Sequence, residues 1–144
     1  MKQGFVKVAS ATPRIRVADP VYNAQVICEQ AKEAAEHGAK IVVFPELCIT
    51  GYTCNDLFLQ ELLLEKAKEA LLTIAEETGQ LETLFLVGLP VDKDGRLYNV
   101  AAVLYRGRIL GMIPKKNIPM YAEFYEGRHF TPGEETVTEW IPTS

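Results

Sequence analysis

Four apolar residues in a row, Ile41-Val42-Val43-Phe44, run into Pro45 and then a carboxylate, Glu46. A β-branched and aromatic run this short predicts a strand buried on both faces. Pro45 ends it, because proline has no N–H to donate to a sheet ladder. The charge that follows falls where α/β folds place their chemistry, in the crevice outside the carboxyl ends of the strands. Thr50-Gly51 then reads as a turn, and Tyr52 is placed to lie over that crevice. On position alone, Glu46 reads more simply as a loop carboxylate that caps a helix or faces solvent.

The surrounding pattern extends this strand into an α/β unit. Phe5 to Ser10 alternates enough for a first strand. Asp19-Pro20 is a helix start, with Asp as the N-cap and Pro at the first helical position. Val21, Ala24, Ile27, Cys28, Ala31, Ala34 and Ala35 recur at helical spacing, and Gly38 supplies the stop. The small alanines allow close packing on a sheet, and Cys28 among them reads as core. Strand, helix and strand in this order imply a parallel pair and a right-handed crossover. A second helix is expected from about Leu57 to Thr78, with leucines on one side and Glu61, Glu65, Lys66 and Lys68 on the other.

Leu84 to Leu89 reads as another buried strand. Val91 to Leu97 is expected as a polar turn around Asp94-Gly95. Val100 to Tyr105 and Arg108 to Ile113, joined by Arg106-Gly107, read as a β-hairpin. The expectation is a mixed sheet, parallel at its start and antiparallel later, with helices on one face. One domain spanning 1–144 follows, since no repeat or low-complexity linker divides it. After Pro114 the clean periodicity ends, and Val137 to Ile141 looks like a strand cut short, so a fragment is expected.

Composition removes several function classes. The chain has 144 residues, 48% of them hydrophobic, which argues against disorder. Its net charge of −4, from 15 basic and 19 acidic residues, offers no footprint for nucleic acid. No apolar run approaches the roughly 20 residues of a membrane span, and MKQGFVKVAS has no signal-peptide core. Cys28, Cys48 and Cys54 show no metal spacing, and His37 and His129 are far apart, so no metal is expected. A reducing cytoplasm is the simple reading of three unpatterned cysteines.

Two later stretches change the balance at Glu46. Lys115 follows the expected strand and Pro114, with Lys116 beside it. Beyond lies Tyr121-Ala-Glu-Phe124-Tyr-Glu126-Gly-Arg-His-Phe-Thr-Pro132-Gly133. VVFPEL, then GY, then PKxxxPxYxEFYE and FxPG, in that order, resemble the carbon–nitrogen hydrolase (nitrilase) superfamily. Within it they resemble the N-terminal glutaminase domains of glutamine-dependent NAD synthetases. The resemblance runs from about Gly4 to Gly133.

It implies a four-layer αββα sandwich in the complete domain, of which this chain would supply one helix-on-sheet half and part of the second sheet. It also implies a Glu–Lys–Cys triad. Hydrolysis of an amide by a thiol needs a nucleophile, a base to deprotonate it and a positive group for the oxyanion. Glutamate suits the base if burial raises its pKa toward neutrality, and lysine suits the oxyanion as a point charge that needs no metal. Glu46 matches the general base and Lys115 the oxyanion stabiliser. Glu126 matches a supporting carboxylate, and Tyr52, Tyr121 and Phe124 match glutamine-pocket positions. The family's cysteine lies beyond the lysine, and no cysteine follows Cys54 here, so the nucleophile is expected outside these residues and the chain alone is expected inactive. Cys48 reads as packing.

The parent implied by the resemblance hydrolyses glutamine and passes ammonia to a downstream synthetase domain that uses ATP and Mg. It would be a cytoplasmic homo-oligomer. No G-x-x-x-x-G-K-[ST] loop occurs here, so no cofactor is expected in this segment. Two alternatives stand beside this reading: another amidase or carbamoylase of the superfamily, and a non-catalytic binding or assembly module.

Overall fold

The computed structural model describes residues 6–51 and 61–115. They form one five-stranded sheet in sequence order, with two helices. The strands are β1 (Val8–Ser10), β2 (Ile41–Val43), β3 (Leu84–Lys93), β4 (Arg96–Tyr105) and β5 (Arg108–Pro114), and the helices are α1 (Pro20–Glu36) and α2 (Glu61–Glu77). The first three strands pair in parallel and the last three antiparallel. Both parallel crossovers run through a helix, and right-handed crossovers taken in strand order lay both helices on one face. The mixed sheet with helices on one face is therefore as the sequence predicts.

Asp19 caps α1 by accepting from Tyr22 N at 3.2 Å, with Pro20 at the first helical position. Ala24, Ile27, Cys28 and Ala31 of α1, and Ala67, Leu71 and Ile74 of α2, are buried in one core with Val42, Phe85, Val87 and Leu104 of the sheet. Alanines on the helix faces let the backbones approach the sheet closely. Burial of these apolar side chains is the main stabilising term, at about 25 cal/mol per Å² removed from water. Cys28 is core, as its spacing indicates.

Two expectations change. Among the described residues the first strand begins at Val8 rather than earlier, although Lys7 O still accepts from Lys40 N at 2.8 Å; Phe5 lies outside the described residues. Residues 91–97 are not a polar turn as a whole. β3 continues to Lys93 and β4 begins at Arg96, paired from Lys93↔Arg96 back through Val91↔Tyr98, and only Asp94-Gly95 turns. The reason is the turn itself. Asp94 and Gly95 both have positive φ, 54° and 76°, the twist that matches two flanking strands, so the ladder runs up to the turn despite its charged side chains. The Val100–Tyr105/Arg108–Ile113 hairpin around Arg106-Gly107 forms as read, with a register shift at Val103/Leu104. The expected second helix is seen from Glu61, and Leu57 to Gln60 lie outside the described residues.

Alternation along the strands separates the two faces. Val42, Phe85, Val87 and Ala102 point to the helices, whereas Val8, Ile41, Val43, Leu86, Val103 and Ile113 occupy the opposite face. On that face Val8, Val43 and Ile113 keep 59%, 40% and 42% exposure.

Candidate active site

Glu46 is brought in from β2 by a turn that folds over the helix-free face of the sheet. Phe44 N donates to Leu86 O at 2.9 Å, and Ile49 N donates to Gly88 O at 3.2 Å. Between these two bonds the segment from Pro45 to Leu47 lies directly on Gly88. A Cβ built at Gly88 would stand 2.4 Å from Leu47 N, 2.7 Å from Pro45 O and 2.9 Å from the Glu46 carbonyl carbon. Only glycine allows this approach. Leu47, with φ +52°, holds a left-handed conformation at a cost of about 1 kcal/mol. Its buried side chain, packed with Leu63 and Leu97, and the bond from Gly51 N to Leu47 O at 2.7 Å hold it there.

A second anchor comes from α1. Asn23 has no solvent exposure and uses both ends of its amide. Its Oδ1 accepts from Arg16 N at 2.6 Å, and its Nδ2 donates to Arg16 O and Ile49 O, each at 2.8 Å. Ala18 N donates to Thr50 O at 2.7 Å. The loop after β1, the turn after β2 and the start of α1 are thus one hydrogen-bonded unit.

Lys115 arrives by an unrelated route. It follows Pro114 at the end of β5, and its backbone N donates to Asn99 O at 2.7 Å, continuing the β4–β5 ladder by one residue. Pro114 is tolerated because β5 is an edge strand. Alternation puts Lys115 on the same face as Ile113 and Asn99. There Lys115 Nζ donates to Glu46 Oε2 at 3.0 Å, across 69 positions of sequence. Asn99 Nδ2 lies 3.5 Å from the same oxygen. The Lys115 side chain is 23% exposed and that of Glu46 49%.

An ion pair this open to solvent contributes only about 0–1 kcal/mol, so folding does not depend on it. Among the described residues the carboxylate faces an ammonium and a side-chain amide. Chemically, the arrangement places a proton acceptor and a fixed positive charge side by side beyond the carboxyl ends of β2 and β5.

The two described cysteines, Cys28 and Cys48, are not poised for chemistry. Cys48 is 1% exposed and its Sγ lies 3.7 Å from Gly88 O. Burial pushes its thiol up to about 12. Burial, followed by the Glu77 carboxylate, does the same for Cys28, again to about 12. A thiol so protonated is a poor nucleophile, in keeping with Cys48 as a packing residue. Among the described residues no group of three or more His, Cys, Asp or Glu side chains could hold a metal ion, and no helix is long and apolar enough to cross a membrane.

Glu46 and Lys115 are therefore brought together. Glu126, Tyr52, Tyr121 and Phe124, with Lys116 and Cys54, lie outside the described residues. Sequence reasoning did not single out Gly88, Asn99 or Asn23. Two of them carried a signal: Gly88 interrupts the apolar run Leu84 to Leu89, which points to a close backbone approach, and Asn99 is a polar amide beside the apolar run Val100 to Leu104.

Known proteins share this arrangement of elements. Residues 7–141 match the family model for carbon-nitrogen hydrolase. The chain is 40% identical over 133 residues to the glutamine-dependent NAD(+) synthetase of Mycobacterium tuberculosis, a match covering 92% of this chain and 20% of that protein. It is 36% identical over 135 residues to the synthetase of the same name from Thermotoga maritima, covering 94% and 23%. The chain thus spans about a fifth of the length of these curated relatives. Among solved structures, a glutamine-dependent NAD(+) synthetase from Cytophaga hutchinsonii superposes with a TM-score of 0.85 at 30% identity, over 90% of this chain and 22% of that one. An amidase from Nesterenkonia sp. superposes with a TM-score of 0.75 at 25% identity, over 97% and 53%.

Proposed function

The chain belongs to the carbon–nitrogen hydrolase family, and from that premise we propose that it is the N-terminal part of a glutamine amidohydrolase domain. Its parent releases ammonia to an ATP- and Mg-dependent synthetase domain of the same polypeptide, which amidates nicotinic acid adenine dinucleotide. The observation that carries this reading is the contact of Glu46 Oε2 with Lys115 Nζ at 3.0 Å, made by residues from two separate elements.

In this mechanism Glu46 takes the proton of a cysteine thiol supplied from outside the described residues. The thiolate attacks the side-chain amide carbon of glutamine, and Lys115 faces the oxyanion that develops. The proton passes from Glu46 to the leaving nitrogen, ammonia departs, and Glu46 then activates the water that cleaves the thioester. Glu126 supports Lys115, and Tyr52, Tyr121 and Phe124 line the glutamine pocket. Cys28 and Cys48, buried and protonated, do not serve as that thiol, and the 144-residue chain is silent by itself in this reading because the family's cysteine follows the lysine. The parent is a cytoplasmic homo-oligomer.

The test is glutamine hydrolysis by the polypeptide as its gene encodes it, followed as glutamate and ammonia release. Turnover that disappears in Glu46→Gln supports the reading, whereas full activity of that variant removes Glu46 from the base role. A second reading, an amidase acting on other small amides, is favoured by the likeness to the Nesterenkonia amidase over 97% of the chain. Turnover of aliphatic amides in preference to glutamine selects it.

A further inference from the structure

We propose that Asn99 is a positioning residue that selects which oxygen of Glu46 accepts the proton. The inference rests on the base role given to Glu46 above.

Asn99 touches both members of the Glu46–Lys115 pair. Its backbone carbonyl accepts from Lys115 N at 2.7 Å, which sets where the lysine leaves the sheet. Its side-chain amide lies 3.5 Å from Glu46 Oε2. Only the NH₂ end of the amide can face a carboxylate oxygen, so the contact has one sense. Asn99 is 3% exposed and sits in the long β3–β4 ladder opposite Pro90, which holds its backbone still.

Glu46 has little freedom to follow a displaced partner, because its own backbone rests on Gly88. Its side-chain torsions remain, and the last of them, rotation of the carboxylate, is broad and roughly two-fold. Lys115 restricts that rotation less than a planar amide does, because an ammonium on a four-carbon stem presents rotatable donors. The strand-mounted amide does not. Among the described residues both donors fall on Oε2. The rotation is thereby arrested with Oε2 engaged and Oε1 turned to the reacting proton. Asn99 touches neither substrate nor nucleophile in this scheme; it acts through Glu46.

Two measurements test the assignment by different routes. In ¹⁵N-labelled protein, the side-chain NH₂ peaks of Asn99 are the pair missing from Asn99→Asp. They move when Glu46 is changed to Gln; peaks that stay in place refute the contact. In the glutamine hydrolysis assay, Asn99→Asp keeps the shape and loses the donor, so kcat falls by about ten-fold or more while KM changes by less than about three-fold. Asn99→Leu serves as the second variant and gives the same split. Unchanged kcat in both, or a loss confined to KM, overturns the proposal. Absence of turnover in the unsubstituted protein overturns the glutaminase reading instead, and the NMR result then decides whether Asn99 holds Glu46.

Discussion

Gly88 has no side chain where the backbone of Pro45 to Leu47 needs the space. Gly88→Ala must push that segment, and Glu46 with it, by about 1 Å, and misplacement of that size costs about a hundred-fold in rate. Gly111→Ala is the control, because a Cβ there meets nothing within 4 Å. Kinetics of the two variants side by side are expected to show a large loss of kcat only for Gly88→Ala; equal losses would mean that any strand alanine is harmful. Cys48 gives a pH prediction at the same scale. Burial raises its thiol from 9.0 to about 12 in the folded protein. The stability it contributes is present below pH 9 and is lost as pH rises from 9 toward 12, at up to about 1.4 kcal/mol per pH unit. Urea midpoints measured across that window should fall less steeply in Cys48→Ala than in the parent chain.

Elements reach the site through their connections. Asn23 on α1 ties the loop after β1 to the turn after β2 with three hydrogen bonds of 2.6–2.8 Å. Asn23→Ala takes the side-chain partner from part-buried Arg16 N and from buried Ile49 O, while Arg16 O keeps its bond from Asp19 N, a loss of roughly 1–3 kcal/mol. Equilibrium urea unfolding measures it, and a change under about 0.5 kcal/mol would show that water replaces the amide without cost. Helix α1 was legible in full, because its cap, its apolar spacing and its stop agree. The β3–β4 ladder was legible in its middle and not at its ends. Charged Asp92, Lys93 and Arg96 look like loop, yet the two-residue turn between them carries the pairing to the tip.

At the scale of the whole molecule, the described residues form a sheet with helices on one face. Helices bury one face, and on the other Val8, Val43 and Ile113 remain open. Exposed apolar surface on one sheet face is an association liability. The 144-residue chain is therefore expected to self-associate as concentration rises. Val43→Lys together with Ile113→Lys is expected to reduce that association in light scattering. A particle mass that stays constant with concentration would show that this face is covered in solution. The candidate site lies on the same face, beyond the carboxyl ends of β2 and β5.

The order of strands and helices, the parallel-to-antiparallel change and the identity of Glu46 and Lys115 as candidates all followed from the sequence. Each depends on local information: apolar period, proline and glycine punctuation, and a match of short motifs in a fixed order. The 3.0 Å contact between the two side chains did not follow, since 69 residues separate them and only the sheet brings β2 and β5 to one face. Nor did the roles of Gly88, Asn99 and Asn23. Their effect comes from what packs against them, the backbone of a turn, a carboxylate from the turn after β2, a carbonyl 26 residues away. Local propensity carries no record of such partners. The tertiary structure decided them by closing the turn after β2 onto the helix-free face of β3.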